Sequence, residues 1–233
     1  MQEFIGIRKG VSMFTGIIKE TGKITAVRES PESKELVISC NLIRPGLCIG
    51  DSVAVNGCCL TVNRLSGEGF AADISYSTID STTFKNVKSG EVVNLEDSLK
   101  LSDKLGGHFV TGHIDTTIKF LGIKKIGSSF ELSLELPYQY YANIAAKGSV
   151  AVDGISLTVA EAGRDFFTAA IIPHTYENTC LKIKKPGEQM NMEIDLISRY
   201  INRLMVNPED ENINKKQSDK TLKEKLIKYG FFK

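Results

Sequence analysis

The stretch SVAVNGCCLTV, residues 52–62, recurs 97 residues later as SVAVDGISLTV, residues 149–159. Eight of the eleven positions are identical, and the three differences are Asn56/Asp153, Cys58/Ile155 and Cys59/Ser156. The same shift pairs FAADISYST (70–78) with FTAAIIPHT (167–175) and SGEVVNLE (89–96) with PGEQMNME (186–193), and a shift of 96 pairs TGI (15–17) with TGH (111–113). The chain therefore carries one structural unit twice.

Each copy has the local pattern of a small β domain. Short segments rich in Val, Ile and Thr, such as GKITAV, ELVISC and EVVNLE, are broken by Gly, Ser, Asn and Pro. Half a dozen such strands in roughly 90 residues predict a closed barrel or a sandwich, and closure would remove exposed strand edges. Asn56-Gly57 and Asp153-Gly154 predict tight hairpin turns, because Asn, Asp and Gly tolerate positive φ.

The pattern becomes helical after the second copy. Apolar residues recur at spacings of three and four, which predicts a helix with one apolar face that Pro208 ends; they are Ile194, Ile197, Ile201, Leu204 and Met205. The segment TLKEKLIKYGFF, residues 221–232, predicts a second helix that starts with a capping box at Thr221 and Glu224 and that Gly230 ends. The two helices either cover a barrel end or associate with further copies of the chain, and an amphipathic pattern alone does not decide between these roles.

Composition restricts the classes of partner and compartment. The 29 Lys and Arg residues nearly balance the 28 Asp and Glu residues, so we expect no nucleic acid and no membrane as partner, and a small ligand is favoured. Five cysteines, an odd number without a CxxC pair, favour neither a disulfide framework nor a zinc site and indicate the cytoplasm. We find no signal-peptide pattern, and no Walker, GxGxxG or GxSxG motif points to nucleotide binding or hydrolysis.

The adjacent cysteines point to opposite faces if their segment is a strand. We assign Cys58 to the barrel wall and Cys59 to the barrel mouth. Cys59 aligns with Ser156, and each lies two residues before a threonine, Thr61 or Thr158. The repeat therefore predicts paired small-ligand sites, one of which bears a thiol, whereas packing alone is the alternative role for either cysteine.

The segment GGHFVTGH, residues 106–113, holds His108 and His113 where the two copies join. Their spacing does not suit a metal site and no acidic cluster supports one, so we expect no metal. A histidine in a loop is commonly a surface residue, and proton transfer is the alternative role because imidazole titrates near neutral pH. The third histidine, His174, aligns with Ser77, so the repeat does not require it.

Seven ordered motifs together resemble those of riboflavin synthases over essentially the whole chain from Met13 onward: MFTGII, NGCCLTV, GGHFVTGH, VAVDGISLTV, IPHT, NMEIDLISRYINRL and TLKEKLIKYGF. The resemblance implies an all-β fold of two tandem six-stranded Greek-key barrels, followed by a C-terminal helix that joins three subunits into a homotrimer. We expect an N-terminal extension at 1–12, barrels at 13–109 and 110–197, and a trimerisation region at 198–233. Since family members begin near MFTG, either Met13 is the start or residues 1–12 must lie clear of the pocket.

The resemblance also implies a cofactor-free reaction. Two molecules of 6,7-dimethyl-8-ribityllumazine exchange a four-carbon unit and give riboflavin and 5-amino-6-(ribitylamino)uracil. One lumazine lies in each barrel, and the working site forms between the first barrel of one subunit and the second barrel of its neighbour. Whether a shell of lumazine synthase encloses the trimer is left open.

Carried over by motif, the first-barrel pocket is expected to use Gly16, Ile17, Ile18, Cys59, Leu60, Thr61, Asp73, Ile74, Ser75, Tyr76, Ser77, Thr78, Gly112, His113 and Ile114. The second is expected to use Lys147, Ser156, Leu157, Thr158, Ile172, Pro173, His174, Thr175, Tyr176 and Glu177. The residues expected closest to the chemistry are Phe14, Ser52, Cys59, His108, His113 and Asp195. His113 is the expected proton carrier, helped by Ser52, while Thr61 and Thr158 hold the pyrimidine edge.

Two identical substrates must take different roles, donor and acceptor, so the barrels should differ where the reacting rings lie. The pair Cys59 and Ser156 is such a difference. A non-catalytic lumazine or flavin carrier with the same fold is the rival function, and the intact CLTV, GGHFVTGH and ISLT segments argue against it. A flavin-dependent reductase barrel is disfavoured because the chain lacks an RxYS-type motif.

Overall fold

Twelve strands form two closed antiparallel barrels within residues 12–30 and 33–205, which are the residues that the computed structural model describes. The first barrel consists of β1 (Glu20–Glu29), β2 (Ser33–Ser39), β3 (Ser52–Val55), β4 (Cys58–Ser66), β5 (Gly69–Ser75) and β6 (Val92–Asp97). The second consists of β7 (Thr116–Ile126), β8 (Ser129–Glu135), β9 (Ser149–Val152), β10 (Ile155–Ala162), β11 (Phe166–Ile171) and β12 (Gln189–Ile194). The strand order is β1-β2-β5-β4-β3-β6 in the first barrel and the equivalent order in the second, which confirms the predicted duplicated barrel.

The helical elements are short. They are α1 (Tyr76–Ser81), α2 (Pro173–Asn178), α3 (Leu196–Met205) and single 3₁₀ turns at Arg44–Gly46, Thr83–Asn86, Tyr138–Asn143 and Cys180–Ile183. None of the described helices is long and apolar enough to cross a membrane.

Each barrel encloses its own apolar core, built from the inward-facing residues of its six strands. Leu36 and Phe70 in the first core correspond to Leu132 and Phe167 in the second, and all four are fully buried. Cys58 lies in the first core at 3% exposure, which confirms its assignment to the wall.

The two hairpin turns meet between the barrels. Asn56 and Gly57 have φ of 43° and 78°, and Asp153 and Gly154 have φ of 44° and 78°, as a type I′ turn requires. A Cβ atom on Gly57 would lie 2.6 Å from the Gly154 nitrogen. Both glycines are therefore needed for their turns and for the close approach of the two turns.

Reciprocal amide hydrogen bonds join the barrels behind these turns. Asn94 Nδ2 donates to the Asp153 carbonyl and Asn191 Nδ2 donates to the Asn56 carbonyl, both at 2.9 Å. Asp153 differs from Asn56 in being charged, and its fully buried carboxylate lies 3.1 Å from Lys184 Nζ. The first copy has Val87 at the position of Lys184, so the acid and its cation replace an amide and an apolar residue together.

The helix after the second barrel starts later than the apolar pattern predicts. Ile194 is the last residue of β12 and is buried, and α3 begins at Leu196 because the helical periodicity overlaps the end of a strand. The two barrels form one unit that ends at Asp195, and α3 belongs to a second unit. Pro208 and the predicted helix at 221–232 lie outside the described residues, as do residues 1–11.

Candidate functional site

Two short segments pair with each other between the barrels. We call residues 12–18 the first seam segment and residues 108–114 the second seam segment. Phe14 N–H donates to the Val110 carbonyl at 2.8 Å, and Val110 N–H donates back to the Phe14 carbonyl at 3.1 Å. The Phe14 ring is fully buried among Val110, Ala54 and Ala151. Phe14, expected near the chemistry, therefore packs inside the seam between the two segments, and its expected role stays a prediction.

The first seam segment leads into the first barrel but contacts the second. Ser156 N–H donates to the Gly16 carbonyl at 2.8 Å, and Ile18 packs against the second core. The chain passes between the barrels before β1 begins, which puts residues 16–18 against the second barrel, and their expected place in the first-barrel pocket stays a prediction. These residues belong beside Ser156.

The second seam segment makes the reciprocal crossing. Cys59 N–H donates to the Gly112 carbonyl at 3.0 Å, and Ile114 packs against the first core. Gly112 has φ +79°, and a Cβ atom there would overlap the Cys59 side chain. Gly16 has φ +74°, and a Cβ atom there would lie 2.6 Å from Ser156 Cβ. Glycine is thus required at both crossings.

A serine, a histidine and an aspartate lie together at the second barrel. His108 Nδ1 is 2.7 Å from Ser156 Oγ. Burial lowers the pKa of His108, and the nearby Asp195 carboxylate opposes this shift. The imidazole is therefore neutral near pH 7, and with its proton on Nε2 it accepts the Ser156 hydroxyl proton through Nδ1. This arrangement can remove a proton from the hydroxyl or from a water molecule in its place.

The first barrel carries a thiol and two hydroxyls instead. Ser12 Oγ donates to Ser52 Oγ at 2.6 Å. Burial raises the pKa of Cys59, a hydrogen bond with Ser52 lowers it, and the Glu193 charge raises it further. The sulfur is therefore a neutral thiol near pH 7, suited to a polar contact and not to nucleophilic attack. The 96-residue shift makes Ser12 the repeat equivalent of His108. The first barrel therefore has a serine hydroxyl at the position where the second barrel has an imidazole.

His113 lies on the second seam segment directly after Gly112 and is exposed. The equivalent residue of the first seam segment is Ile17, which is 45% exposed. His113 thus stands near the thiol site, whereas His108 is the histidine that contacts a site hydroxyl. The proton-carrier role of His113 stays a prediction.

The outer faces of the barrels differ in polarity next to these sites. Asn63 Nδ2 donates to Asp73 Oδ2 at 2.7 Å on the first barrel. Ala160 and Ala170 occupy the equivalent positions of the second barrel. Thr61 and Thr158, expected to hold the pyrimidine edge, are exposed on the same two faces. Asn63 was missed by motif reasoning, although the 97-residue shift that pairs it with Ala160 contains the signal.

Three residues expected to bind ligand point into the barrel cores. Leu60, Ile74 and Leu157 are at most 4% exposed and pack in the two apolar clusters. Only their main-chain groups are available to a ligand.

The remaining expected residues gather where β5 and β11 run into short helices. Ser75 caps α1 by accepting the Thr78 N–H at 3.5 Å. Tyr176 on α2 stacks on Phe130, with ring centroids 4.2 Å apart. The exception is Lys147, which is exposed in the turn before β9. The other expected residues at these ends are Tyr76, Ser77, Ile172, Pro173, His174, Thr175 and Glu177, which are exposed or half-buried.

The larger of the two cavities described next lies away from the polar groups around Cys59 and Ser156. A cleft of about 830 Å³ between the barrels is lined by Asn56, Thr117, Cys180 and Lys184 among others, and contains no residue of the expected site. A smaller cavity of about 340 Å³ borders the first seam segment at Thr15. The paired polar groups around Cys59 and Ser156, and not the larger cleft, define the candidate site.

A lumazine binding domain model matches residues 15–98 and 111–195, one match for each barrel. A riboflavin synthase from Photobacterium phosphoreum is 37% identical over 202 residues, covering 85% of this chain and 93% of that protein. A riboflavin synthase from Bacillus subtilis (strain 168) is 36% identical over 193 residues, covering 83% and 90%. The chain belongs to the riboflavin synthase family.

Solved structures of LumP superpose on this chain. LumP complexed with riboflavin superposes with a TM-score of 0.72 at 26% identity, covering 78% of this chain and 98% of that chain. LumP complexed with 6,7-dimethyl-8-(1'-D-ribityl) lumazine gives a TM-score of 0.70 at 25% identity with the same coverage. The family model and the curated relatives confirm the resemblance expected from the motifs, and the LumP complexes support a small-molecule ligand.

Proposed function

We propose that the protein is an active riboflavin synthase that converts two molecules of 6,7-dimethyl-8-ribityllumazine into riboflavin and 5-amino-6-(ribitylamino)uracil. The observation that carries the proposal is the pairing of unlike polar groups at equivalent positions of the two barrels. One barrel offers the Cys59 thiol with Ser52, and the other offers the Ser156 hydroxyl with His108. Twin substrates with opposite roles need such a difference.

The second barrel is suited to the lumazine that accepts a nucleophile at C7. A neutral His108 beside Ser156 supplies a base for a hydroxyl or water. Asp195 favours the protonated imidazole and so stabilises the charge that develops as the proton arrives.

The first barrel is then suited to the other lumazine, which must lose a proton from its C7 methyl group. The neutral thiol of Cys59 and the hydroxyl of Ser52 orient the ring, and His113 is the nearest expected proton carrier on the same seam segment. Positioning of the two rings relative to each other supplies a large part of the acceleration.

Incubation of the purified protein with the lumazine alone, with no added metal or cofactor, tests the proposal. We expect riboflavin and the pyrimidine diamine in equal amounts, separated by chromatography. Turnover that fails to yield the second product would contradict the proposal.

A non-catalytic carrier is the second candidate, because the LumP complexes share the fold and coverage. A carrier would bind the lumazine or riboflavin with a fluorescence change and form no diamine. Cys59→Ser sharpens the test: we expect altered turnover and an altered pH profile, whereas an unchanged enzyme would make the thiol a packing residue.

Assembly and compartment are further parts of the proposal. The apolar face of α3, with Ile197, Ile201 and Leu204, supports a homotrimer in which each site lies between two subunits. The five free cysteines support a cytoplasmic location. Light scattering should give a molar mass about three times that of one chain. Sedimentation of the protein mixed with a lumazine synthase tests whether the two proteins associate.

A further inference from the structure

Two buried glutamates hold the seam segments in an identical way. Glu96 on β6 accepts the Thr15 N–H at 2.7 Å and the Thr15 hydroxyl at 2.6 Å through Oε1, and the Gly16 N–H at 2.9 Å through Oε2. Glu193 on β12 accepts the same three donors from Thr111 and Gly112 at 2.7, 2.6 and 2.9 Å. Each glutamate is 2% exposed.

The held glycines make these glutamates act on the opposite barrel. Glu96 belongs to the first barrel, yet the Gly16 that it holds accepts its next hydrogen bond from Ser156 of the second. Glu193 belongs to the second barrel, yet its Gly112 accepts from Cys59 of the first. Three backbone groups in sequence therefore connect each carboxylate to the site across the seam: the glycine N–H, the glycine carbonyl and the site residue's N–H.

A carboxylate suits this position because all three groups that meet it are donors. Burial raises the pKa of both glutamates, and the three hydrogen bonds oppose the shift. A glutamine of the same size would turn an amide NH₂ toward one of the donors and leave that N–H unsatisfied. The seam segment would then move relative to the site across from it.

We propose that Glu193 and Glu96 are crossed positioning residues, in which Glu193 of the second barrel sets the Cys59 site of the first and Glu96 of the first barrel sets the Ser156 site of the second. The placement of each site then depends on the barrel that does not contain it. The inference rests on the proposed function only for its catalytic consequence.

The pair Glu193→Gln and Glu96→Gln forms a matched test, with Cys48→Ser as background because Cys48 is the exposed thiol. Alkylation of Cys59, located by tandem mass spectrometry, should accelerate about threefold or more in Glu193→Gln, since removal of the charge lowers the Cys59 pKa and the displaced Gly112 uncovers the sulfur. Glu96→Gln should leave this rate within about 1.5-fold of the background protein.

The reverse readout uses the imidazoles, of which the chain has only three. Glu96→Gln should shift the NMR titration of His108, and Glu193→Gln should leave it in place. If both variants change both readouts equally, or each changes only the site of its own barrel, the crossed arrangement is wrong.

Milder variants keep the test decisive if a glutamine variant does not fold. Thr111→Val and Thr15→Val remove only the hydroxyl bond, and should give the same crossed pattern with smaller shifts, while Thr111→Ser and Thr15→Ser restore it. Neither readout requires turnover. A crossed pattern without riboflavin formation would therefore overturn the proposed function and leave the positioning inference standing.

Discussion

Replacing His108 with glutamine should lower kcat by about 10²–10³-fold with only a small loss of stability. The structure shows one neutral hydrogen bond, 2.7 Å from Nδ1 to Ser156 Oγ, and losing such a bond costs about 0.5–1.5 kcal/mol of unfolding free energy. A positioned general base contributes about 10²–10⁴ in rate, or about 3–5 kcal/mol of the activation barrier. The kinetic effect should therefore exceed the effect on stability.

A double-mutant cycle separates this role from simple packing. The rate of riboflavin formation is measured for His108→Gln, Ser156→Ala and the double variant. The rate of the double variant should lie within about threefold of that of the slower single variant, because the two groups act as a unit. His108→Gln combined with Ser52→Ala is the matched control from the first barrel, and its two effects should multiply.

Two outcomes would refute this reasoning. A decrease in kcat of less than threefold in His108→Gln would show that Nδ1 accepts no proton during turnover. Multiplying effects of His108→Gln and Ser156→Ala would show that the hydrogen bond is not used in the transition state.

Three further predictions concern stability. Gly112→Ala should destabilise the fold by about 2–4 kcal/mol in urea unfolding, since it places a side chain at positive φ against Cys59, while Gly46→Ala, with open space around it, should change stability by less than about 0.5 kcal/mol. Lys184→Met should lower the free energy of unfolding by about 3–5 kcal/mol, because it leaves Asp153 buried without its cation. Lys185→Met, on the exposed surface, is the control and should change that free energy little. Equal losses in the two variants would contradict the ion-pair argument. Burial lowers the His108 pKa, so the unfolded chain binds more protons than the native state as the pH falls toward about 6.5 and below. The free energy of unfolding of the wild type should therefore exceed that of His108→Gln by less at pH 5.5 than at pH 7.5. A larger difference at pH 5.5, measured by denaturant unfolding, would contradict this prediction.

Much of the fold followed from local patterns. The 97-residue repeat predicted two matching β units, and the NG and DG dipeptides predicted turns whose positive φ values the structure contains. The position of Cys58 in the wall followed from alternation along a strand. The end of β12 was less predictable, because Ile194 fits the helical spacing of α3 and the strand pattern equally well.

The candidate site was predictable by residue type and less so by partner. The pairing of Cys59 with Ser156 was visible as a repeat position, but nothing local indicated that His108 would bond Ser156 while Ser12 bonds Ser52. Glu96 and Glu193 are ordinary strand residues in the sequence. Their role comes from donors about 80 residues away.

The amino-acid sequence by itself determined that the chain builds one barrel twice, with tight glycine turns and with a thiol in one copy where the other has a hydroxyl. These features depend on near neighbours along the chain: side-chain alternation, turn conformation and residue type. Only the tertiary structure decided that each seam segment crosses to the opposite barrel, so that Gly16 meets Ser156 and Gly112 meets Cys59. That choice depends on burying Phe14 and on satisfying the Thr15, Gly16, Thr111 and Gly112 donors between two cores, a condition that arises only when both barrels have formed.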